Sequence, residues 1–142
     1  MKNRIIYAVI SVLYIILIFF LTFQGENETE ALSDGVNSYV QNIGIIMPAH
    51  ELRSWVHIPM YFELGIFLFL FFISMSWKLR WGIVLGLLVG LVDEFVKLFL
   101  PTREFDFFDL IRDFIGVAIA FFILFLLHIS HNDKWSISNY LI

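Results

Sequence analysis

The sequence predicts an all-α integral membrane protein with four transmembrane helices and a short amphipathic helix in the outer loop. Its 142 residues are 60% hydrophobic and only 15% charged, and the mean hydropathy is +0.85. That composition is too apolar for a typical soluble domain. Apolar runs of bilayer-spanning length recur along the chain, so we interpret residues 1–142 as a single membrane domain. The predicted spans cover residues 5–23, 53–75, 81–100 and 109–127.

Composition also excludes several classes of site and partner. The chain contains no cysteine, so disulfides, thiolate nucleophiles and thiolate metal ligands are excluded. The formal net charge is -4 and the basic residues are scattered, so we expect no nucleic-acid partner. The sequence names no cofactor and no oligomeric state.

The first predicted span is a nearly unbroken apolar run that follows Lys2 and Arg4. It is longer than the apolar region of a secretory signal, and no small-residue cleavage site follows it. We therefore predict a retained first helix.

The segment after this helix, up to about residue 51, is polar and acidic. Apolar residues recur in it at three- and four-residue spacing, which predicts a short amphipathic helix on the membrane surface. These residues are Leu32, Val36, Tyr39, Val40, Ile43 and Met47. A partly ordered loop is the alternative, because Gly35 and Gly44 interrupt the pattern.

The second span carries a polar stripe. Arg53, His57, Tyr61 and Gly65 are each four residues apart, so they share one helical face. Glu63 lies off this stripe and must find a partner or be neutral.

Sidedness follows from the number of spans and from the basic residues that flank them. Four spans place both termini on one side of the membrane. The basic residues expected there are Lys2, Arg4, Lys78, Arg80 and Lys134. The positive-inside rule assigns that side to the cytoplasm, and the acidic loop to the outside.

The stretch from 93 to 116 concentrates ionisable residues in an otherwise apolar chain. Ionisable groups are costly in apolar surroundings, so those near the ends of the third and fourth spans are candidates for function. Gly86 and Gly90 lie on the charged face of the third span, and Gly116 and Ala120 on that of the fourth. Since small residues let helices approach closely, we predict that these two faces pack together.

The order of these motifs resembles that of the VanZ-like membrane proteins, a family named for a protein associated with low-level teicoplanin resistance. The matching positions are Leu32-Ser33, Arg53, His57, Tyr61, Leu64-Gly65, Asp93-Glu94, Lys97, Pro101-Thr102-Arg103, Asp109, Asp113 and Gly116. The match covers nearly the whole chain. Three positions depart from the family pattern. The family usually has Gln at the position of Lys97, commonly Asn at that of Asp113, and often Lys at that of Ser54.

The polar residues divide into two expected roles. We predict that acid-base or nucleophilic chemistry would fall to His57, Asp93, Glu94, Asp109 and Asp113. An anionic group would be held by Arg53, Lys97, Arg103 and Arg112, because the planar fork of arginine suits phosphate and carboxylate. Structural alternatives exist for each group. Asp93 and Lys97 can form an intrahelical ion pair, Arg103 and Asp106 can clasp a helix start, and His57 can be a packing histidine.

Three mechanisms could use these residues in a membrane-surface site. The site could bind an anionic headgroup, or act as an enzyme on a lipid-linked substrate with His57 or a carboxylate as acid or base. A metal site is the least supported of the three, because no compact ligand motif exists and neighbouring cations oppose it, and we predict none. A small transporter or proton-coupled membrane protein is an alternative from another class.

The resemblance implies a role in the cell envelope and in tolerance of glycopeptide and lipoglycopeptide antibiotics such as teicoplanin. We hypothesise that the protein binds or modifies an anionic envelope lipid or a lipid-linked precursor. Membrane lipids are therefore its expected partners.

Overall fold

The computed structural model describes residues 2–24, 35, 49–101 and 103–131. All secondary structure within these residues is helical, so the all-α class is confirmed there. The four long helices are α1 (Lys2–Phe23), α2 (Ala49–Ser74), α3 (Leu79–Lys97) and α4 (Phe107–His131). The predicted amphipathic helix falls on the outer loop, which lies outside the described residues except for Gly35.

Three of these helices are long and apolar enough to cross a membrane. Their spanning segments are Asn3–Phe23, Ser54–Ser74 and Phe107–Ser130. Helix α3 has 19 residues and a charged C-terminal end. At 1.5 Å per residue it is about 28 Å long, which is close to the thickness of the hydrocarbon core. The third predicted span is therefore a helix in the structure, while its passage across the membrane stays a prediction.

Two helix ends near connecting segments are stabilised by local hydrogen bonds. Helix α4 begins after Asp106, whose Oδ1 accepts a 2.8 Å hydrogen bond from the Phe108 N–H, as an N-cap residue does. Helix α2 ends where the Trp77 N–H donates to the Phe72 carbonyl oxygen at 3.0 Å. Ser76, with φ of 56°, takes the left-handed position that usually favours glycine at a helix C-terminus.

The helices form an antiparallel bundle around an apolar core. Helix α2 makes its most extensive contact with α4, and α1 and α3 also pack against α2. The buried core residues are Ile18, Tyr61, Leu64, Leu68, Phe69, Phe72, Leu79, Val89, Val117 and Phe121. Because successive helices run in opposite directions, the C-terminal ends of α1 and α3 lie beside the N-terminal ends of α2 and α4.

The contact between α2 and α4 depends on small residues. A Cβ atom added at Gly116 would lie 2.5 Å from the Ile58 carbonyl oxygen and 2.8 Å from the Phe62 nitrogen. A Cβ atom added at Gly65 would lie 2.7 Å from the Ala120 Cβ. The backbones approach so closely that only glycine fits at these two positions.

The prediction that the small-residue faces of the third and fourth spans pack together is therefore partly wrong. Gly116 and Ala120 have their nearest neighbours on α2 rather than on α3. Gly86 and Gly90 do face α4, where they lie next to Val117 and Asp113. The polar stripe of α2 packs against the same side of α4, and Gly65 in that stripe lets α2 approach α4 most closely.

Helix α1 supplies the partner that Glu63 requires. The Tyr14 hydroxyl lies 2.8 Å from Glu63 Oε2, to which it donates, and 3.2 Å from the Met60 carbonyl oxygen. This contact joins α1 to α2 near the middle of both helices.

Replacing Gly116 with alanine is expected to destabilise the bundle by about 1–3 kcal/mol, since the new methyl group meets backbone atoms that cannot move aside. Thermal unfolding of the purified protein in detergent measures the effect. Ile119→Ala, at an exposed position of the same helix, is the matched control. Equal stability of Gly116→Ala and the wild type would contradict the close α2–α4 contact.

Candidate functional site

One end of the bundle holds a set of ionisable side chains that we call the polar cluster. It consists of His57, Asp93, Glu94, Lys97, Asp109 and Asp113. They come from the N-terminal part of α2, the C-terminal end of α3 and the N-terminal part of α4. The antiparallel arrangement of the helices brings these three ends together, although the residues lie up to 56 positions apart in sequence.

His57 and Asp113 form the closest contact between α2 and α4 within the cluster. His57 Nδ1 lies 2.7 Å from Asp113 Oδ1, and His57 Nε2 lies 3.5 Å from Asp109 Oδ2. The imidazole also stacks on Tyr61 at a centroid distance of 6.2 Å. Because the Asp113 carboxylate accepts a hydrogen bond from Nδ1–H, neutral His57 carries its proton on Nδ1, and Nε2 can accept a proton.

Lys97 and Glu94 form a buried ion pair on α3. The Lys97 ammonium contacts Glu94 Oε1 and lies 3.8 Å from Asp109 Oδ2. The second oxygen of Glu94 accepts a 3.1 Å hydrogen bond from the Asp106 N–H. Glu94 is 0% exposed and Lys97 is 6% exposed, so each ion needs the other in order to be buried.

Arg112 lies at the rim of the cluster. Its guanidinium donates to Asp109 Oδ1 at 2.6 Å and lies over the Trp55 ring at 5.7 Å. The arginine side chain is 25% exposed. The rim therefore presents a cation next to an exposed aromatic ring.

Asp93 has its partner on α1. Its Oδ1 contacts the Thr22 hydroxyl, which also lies 3.0 Å from the Ile18 carbonyl oxygen. Thr22 is not among the residues that the sequence predicts for the site. The available signal was a hydroxyl in the last turn of an apolar helix, at the same end of the bundle as the predicted site.

Among the residues that the structure describes, two buried polar atoms at the cluster have no hydrogen-bond partner. They are the Tyr61 hydroxyl and Asp113 Oδ2. Tyr61 is 0% and Asp113 2% exposed, and Tyr61 lies within electrostatic range of Asp93, Asp113 and Glu94. Gly90 allows Asp113 to pack closely against α3, since a Cβ added there would lie 3.0 Å from Asp113 Oδ2. An unpaired buried polar group is costly, so these two atoms are candidates for contact with a bound ligand or water.

Four members of the cluster have the donor types that bind metal ions. One donor atom each from His57, Asp93, Glu94 and Asp113 can be chosen so that all four lie within 4.8 Å of one another. The sequence argued against a metal site because these donors form no compact motif. The structure collects them from three helices, an arrangement that spacing along the chain does not reveal.

The structure brings together most of the residues that the sequence singled out. His57 and the four predicted carboxylates lie in the cluster with Lys97, and Arg112 lies at its rim. Arg103 donates to the Gln24 carbonyl oxygen at 3.2 Å, which ties the α3–α4 loop to the end of α1. Arg53 belongs to α2, but its side chain lies outside the part of the structure that can be described. Whether these residues are catalytic or ligand-binding stays a prediction.

Breaking the buried ion pair is expected to be costly. Lys97→Met leaves Glu94 buried without its cation and should destabilise the protein by about 3–5 kcal/mol, whereas Lys97→Met with Glu94→Gln should recover much of that loss. Thermal unfolding of the two variants in detergent measures the difference. Glu104→Gln, an exposed carboxylate in the adjacent loop, is the control. If the double variant were no more stable than Lys97→Met, the Lys97 ammonium would not be the group that compensates the charge of Glu94.

The chain is similar to a known protein family over most of its length. A family model described as VanZ/LLP1 matches residues 7–128, which run from the second turn of α1 to the last turn of α4. No curated protein and no solved structure matches the chain.

Proposed function

The chain belongs to the VanZ/LLP1 family, as its motif order predicted, and on that premise we propose that it acts on an anionic lipid or a lipid-linked precursor of the bacterial cell envelope. The observation that carries the proposal is the polar cluster, a buried site at one end of an otherwise apolar membrane bundle. The proposal includes an outward-facing site, cytoplasmic termini and a contribution to low-level teicoplanin resistance.

The surroundings of the cluster suit a lipid better than a soluble substrate. Large aromatic side chains at this end of the bundle are exposed; they are Trp55, Phe99, Phe107 and Phe108. Aromatic rings at the ends of spanning helices favour the headgroup region of a bilayer. A headgroup could therefore enter the cluster while its acyl chains stay against the apolar surface.

His57 and Asp113 are the groups best placed for proton transfer. With Asp113 on Nδ1, the neutral imidazole can accept a proton at Nε2 from a hydroxyl group or a water that attacks the headgroup. Asp113 would orient the ring and stabilise the imidazolium that forms. This arrangement supports a modifying activity in addition to binding.

The cations are less free to bind an anion than the sequence suggested. Lys97 is already held by Glu94 and Asp109, and Asp109 also neutralises Arg112. Arg112 is the cation best placed to meet a headgroup, because it is partly exposed at the rim and borders Trp55.

The opposite end of the bundle supports action at one membrane face over transport across the membrane. The described core there consists of aromatic and aliphatic residues such as Leu68, Phe72 and Phe121. Ser11, a buried hydroxyl in this half of α1, donates to the Tyr7 carbonyl oxygen. The Glu63–Tyr14 pair lies between the cluster and that end, and a transport path would need further polar groups on either side of it.

Expression in a teicoplanin-sensitive Gram-positive host tests the proposal. The wild type should raise the minimal inhibitory concentration, and His57→Ala, Asp93→Asn and Arg103→Ala should return it to that of the empty vector at equal membrane abundance. Glu104→Gln should protect as the wild type does. A wild type that does not protect would contradict the resistance role. Protection by both His57→Ala and Asp93→Asn would show that the polar cluster does not contribute to resistance.

The rim cation can be tested separately on the purified protein. Arg112→Ala should weaken retention of phosphatidylglycerol relative to phosphatidylcholine, as measured by native mass spectrometry, because a charge-assisted contact with the phosphate is lost. Arg80→Ala is a matched control, since Arg80 lies over Trp81 at 5.6 Å at the other end of the bundle. Equal effects of the two substitutions would argue against a headgroup site at the rim.

A further inference from the structure

We propose that His57, Asp93, Glu94 and Asp113 form a binding site for one divalent cation of the Zn²⁺ or Mn²⁺ class. The ligands would be one imidazole nitrogen and carboxylate oxygens from three helices. This inference does not depend on the identity of the lipid or on the resistance role, because metal binding can be measured on the protein alone.

The distances fit a coordination sphere. The four donor atoms lie within 4.8 Å of one another, and His57 Nδ1 lies 2.7 Å from Asp113 Oδ1. With metal–ligand bonds of about 2.1 Å, neighbouring ligands of an octahedral ion lie about 3.0 Å apart and opposite ligands about 4.2 Å apart. Shifts of a few tenths of an ångström would therefore suffice to close the site around an ion.

An unpartnered buried oxygen points to a ligand independently of the donor spacing. Asp113 Oδ2 has no hydrogen-bond partner within the described part of the chain, although the residue is 2% exposed. The neighbouring Tyr61 hydroxyl also has none there, and its residue is fully buried. A cation bound by Asp113 would satisfy the orphan oxygen, and a water on that cation could reach the phenol.

Charge balance favours a divalent ion. Among the side chains that the structure describes, the four buried carboxylates of the cluster face two permanent cations, Lys97 and Arg112. With neutral imidazole at His57, this set retains two negative charges in surroundings where buried charges must be paired or bound to metal. One divalent cation would cancel them, even though Lys97 alone would repel it.

The carboxylate ligands are already oriented by a second layer of contacts. Thr22 contacts Asp93, while Lys97 and the Asp106 N–H contact Glu94. Outer contacts of this kind hold metal ligands in position and tune their affinity. One nitrogen donor among carboxylates suits Zn²⁺ or Mn²⁺ better than Ca²⁺, which prefers oxygen alone.

A bound ion would also change which group accepts a proton. Its water or hydroxide could replace the imidazole as the proton acceptor, because a divalent metal makes bound water a strong nucleophile near neutral pH. His57 would then act as a ligand.

Direct binding to the purified full-length chain in detergent tests the inference. After treatment with EDTA and its removal, Mn²⁺ titration followed by electron paramagnetic resonance should show one saturable site per chain, and Zn²⁺ should displace the Mn²⁺. Ca²⁺ should displace it much more weakly. Absence of saturable Mn²⁺ and Zn²⁺ binding by the folded wild type would overturn the inference and leave a proton-sharing network.

Substitutions locate the site. Asp113→Asn and Asp93→Asn should each weaken Mn²⁺ binding at least about tenfold, since even outer contacts contribute that much to affinity. Glu104→Gln, which removes an exposed carboxylate, should bind as the wild type does, and thermal unfolding verifies that each variant is folded. Unchanged affinity in the folded Asp113→Asn or Asp93→Asn variant would overturn the assignment.

The result of the metal-binding test can be distinguished from the result of the antibiotic-protection test of the proposed function. Metal binding without antibiotic protection would leave this inference standing and contradict the resistance role. Antibiotic protection that depends on His57, in a protein that binds no metal, would contradict this inference and leave the resistance role standing.

Discussion

The structure depends on the burial of carboxylates at one end of an apolar bundle. Asp93, Glu94, Asp109 and Asp113 are at most 9% exposed, and water is largely excluded from them. An ionised carboxylate in such surroundings is tolerated only when a cation or a hydrogen-bond donor compensates it. The partners come from other helices or other turns, so the compensation also determines how the helix ends are placed.

Each helix contributes to this compensation in a different way. Helix α2 brings His57 to Asp113, and α1 brings Thr22 to Asp93. Helix α3 carries its own cation, Lys97, in its last turn, where a positive charge also suits the helix dipole. Asp109 lies in the first turn of α4, where a negative charge is favoured for the same reason. Local electrostatics and long-range packing therefore favour the same arrangement.

The membrane requires apolar helices and the site requires charged groups, and the two occupy different positions along the helix axes. The glycine contacts of α2 with α4 bring the backbones together, and the apolar core fills the rest of the bundle. The buried charged residues of the described helices lie at one end of the bundle, which we propose faces the headgroups and water. A site so placed can meet a charged headgroup without moving an ion through the apolar core, which is the physical basis for proposing a lipid substrate.

The sequence by itself determined the helical class, three apolar segments of spanning length, the polar stripe of α2 and the family. These properties depend on composition, on periodicity and on motif order, all of which are written along the chain. Only the tertiary structure decided which side chains meet. It placed Gly116 against α2, added Thr22 to the site and showed no partner for Asp113 Oδ2 among the described residues. It also gathered four metal-donor groups that no compact motif reveals. Helix periodicity specifies a face of one helix, whereas the neighbour of that face is chosen by the close packing of all the helices together.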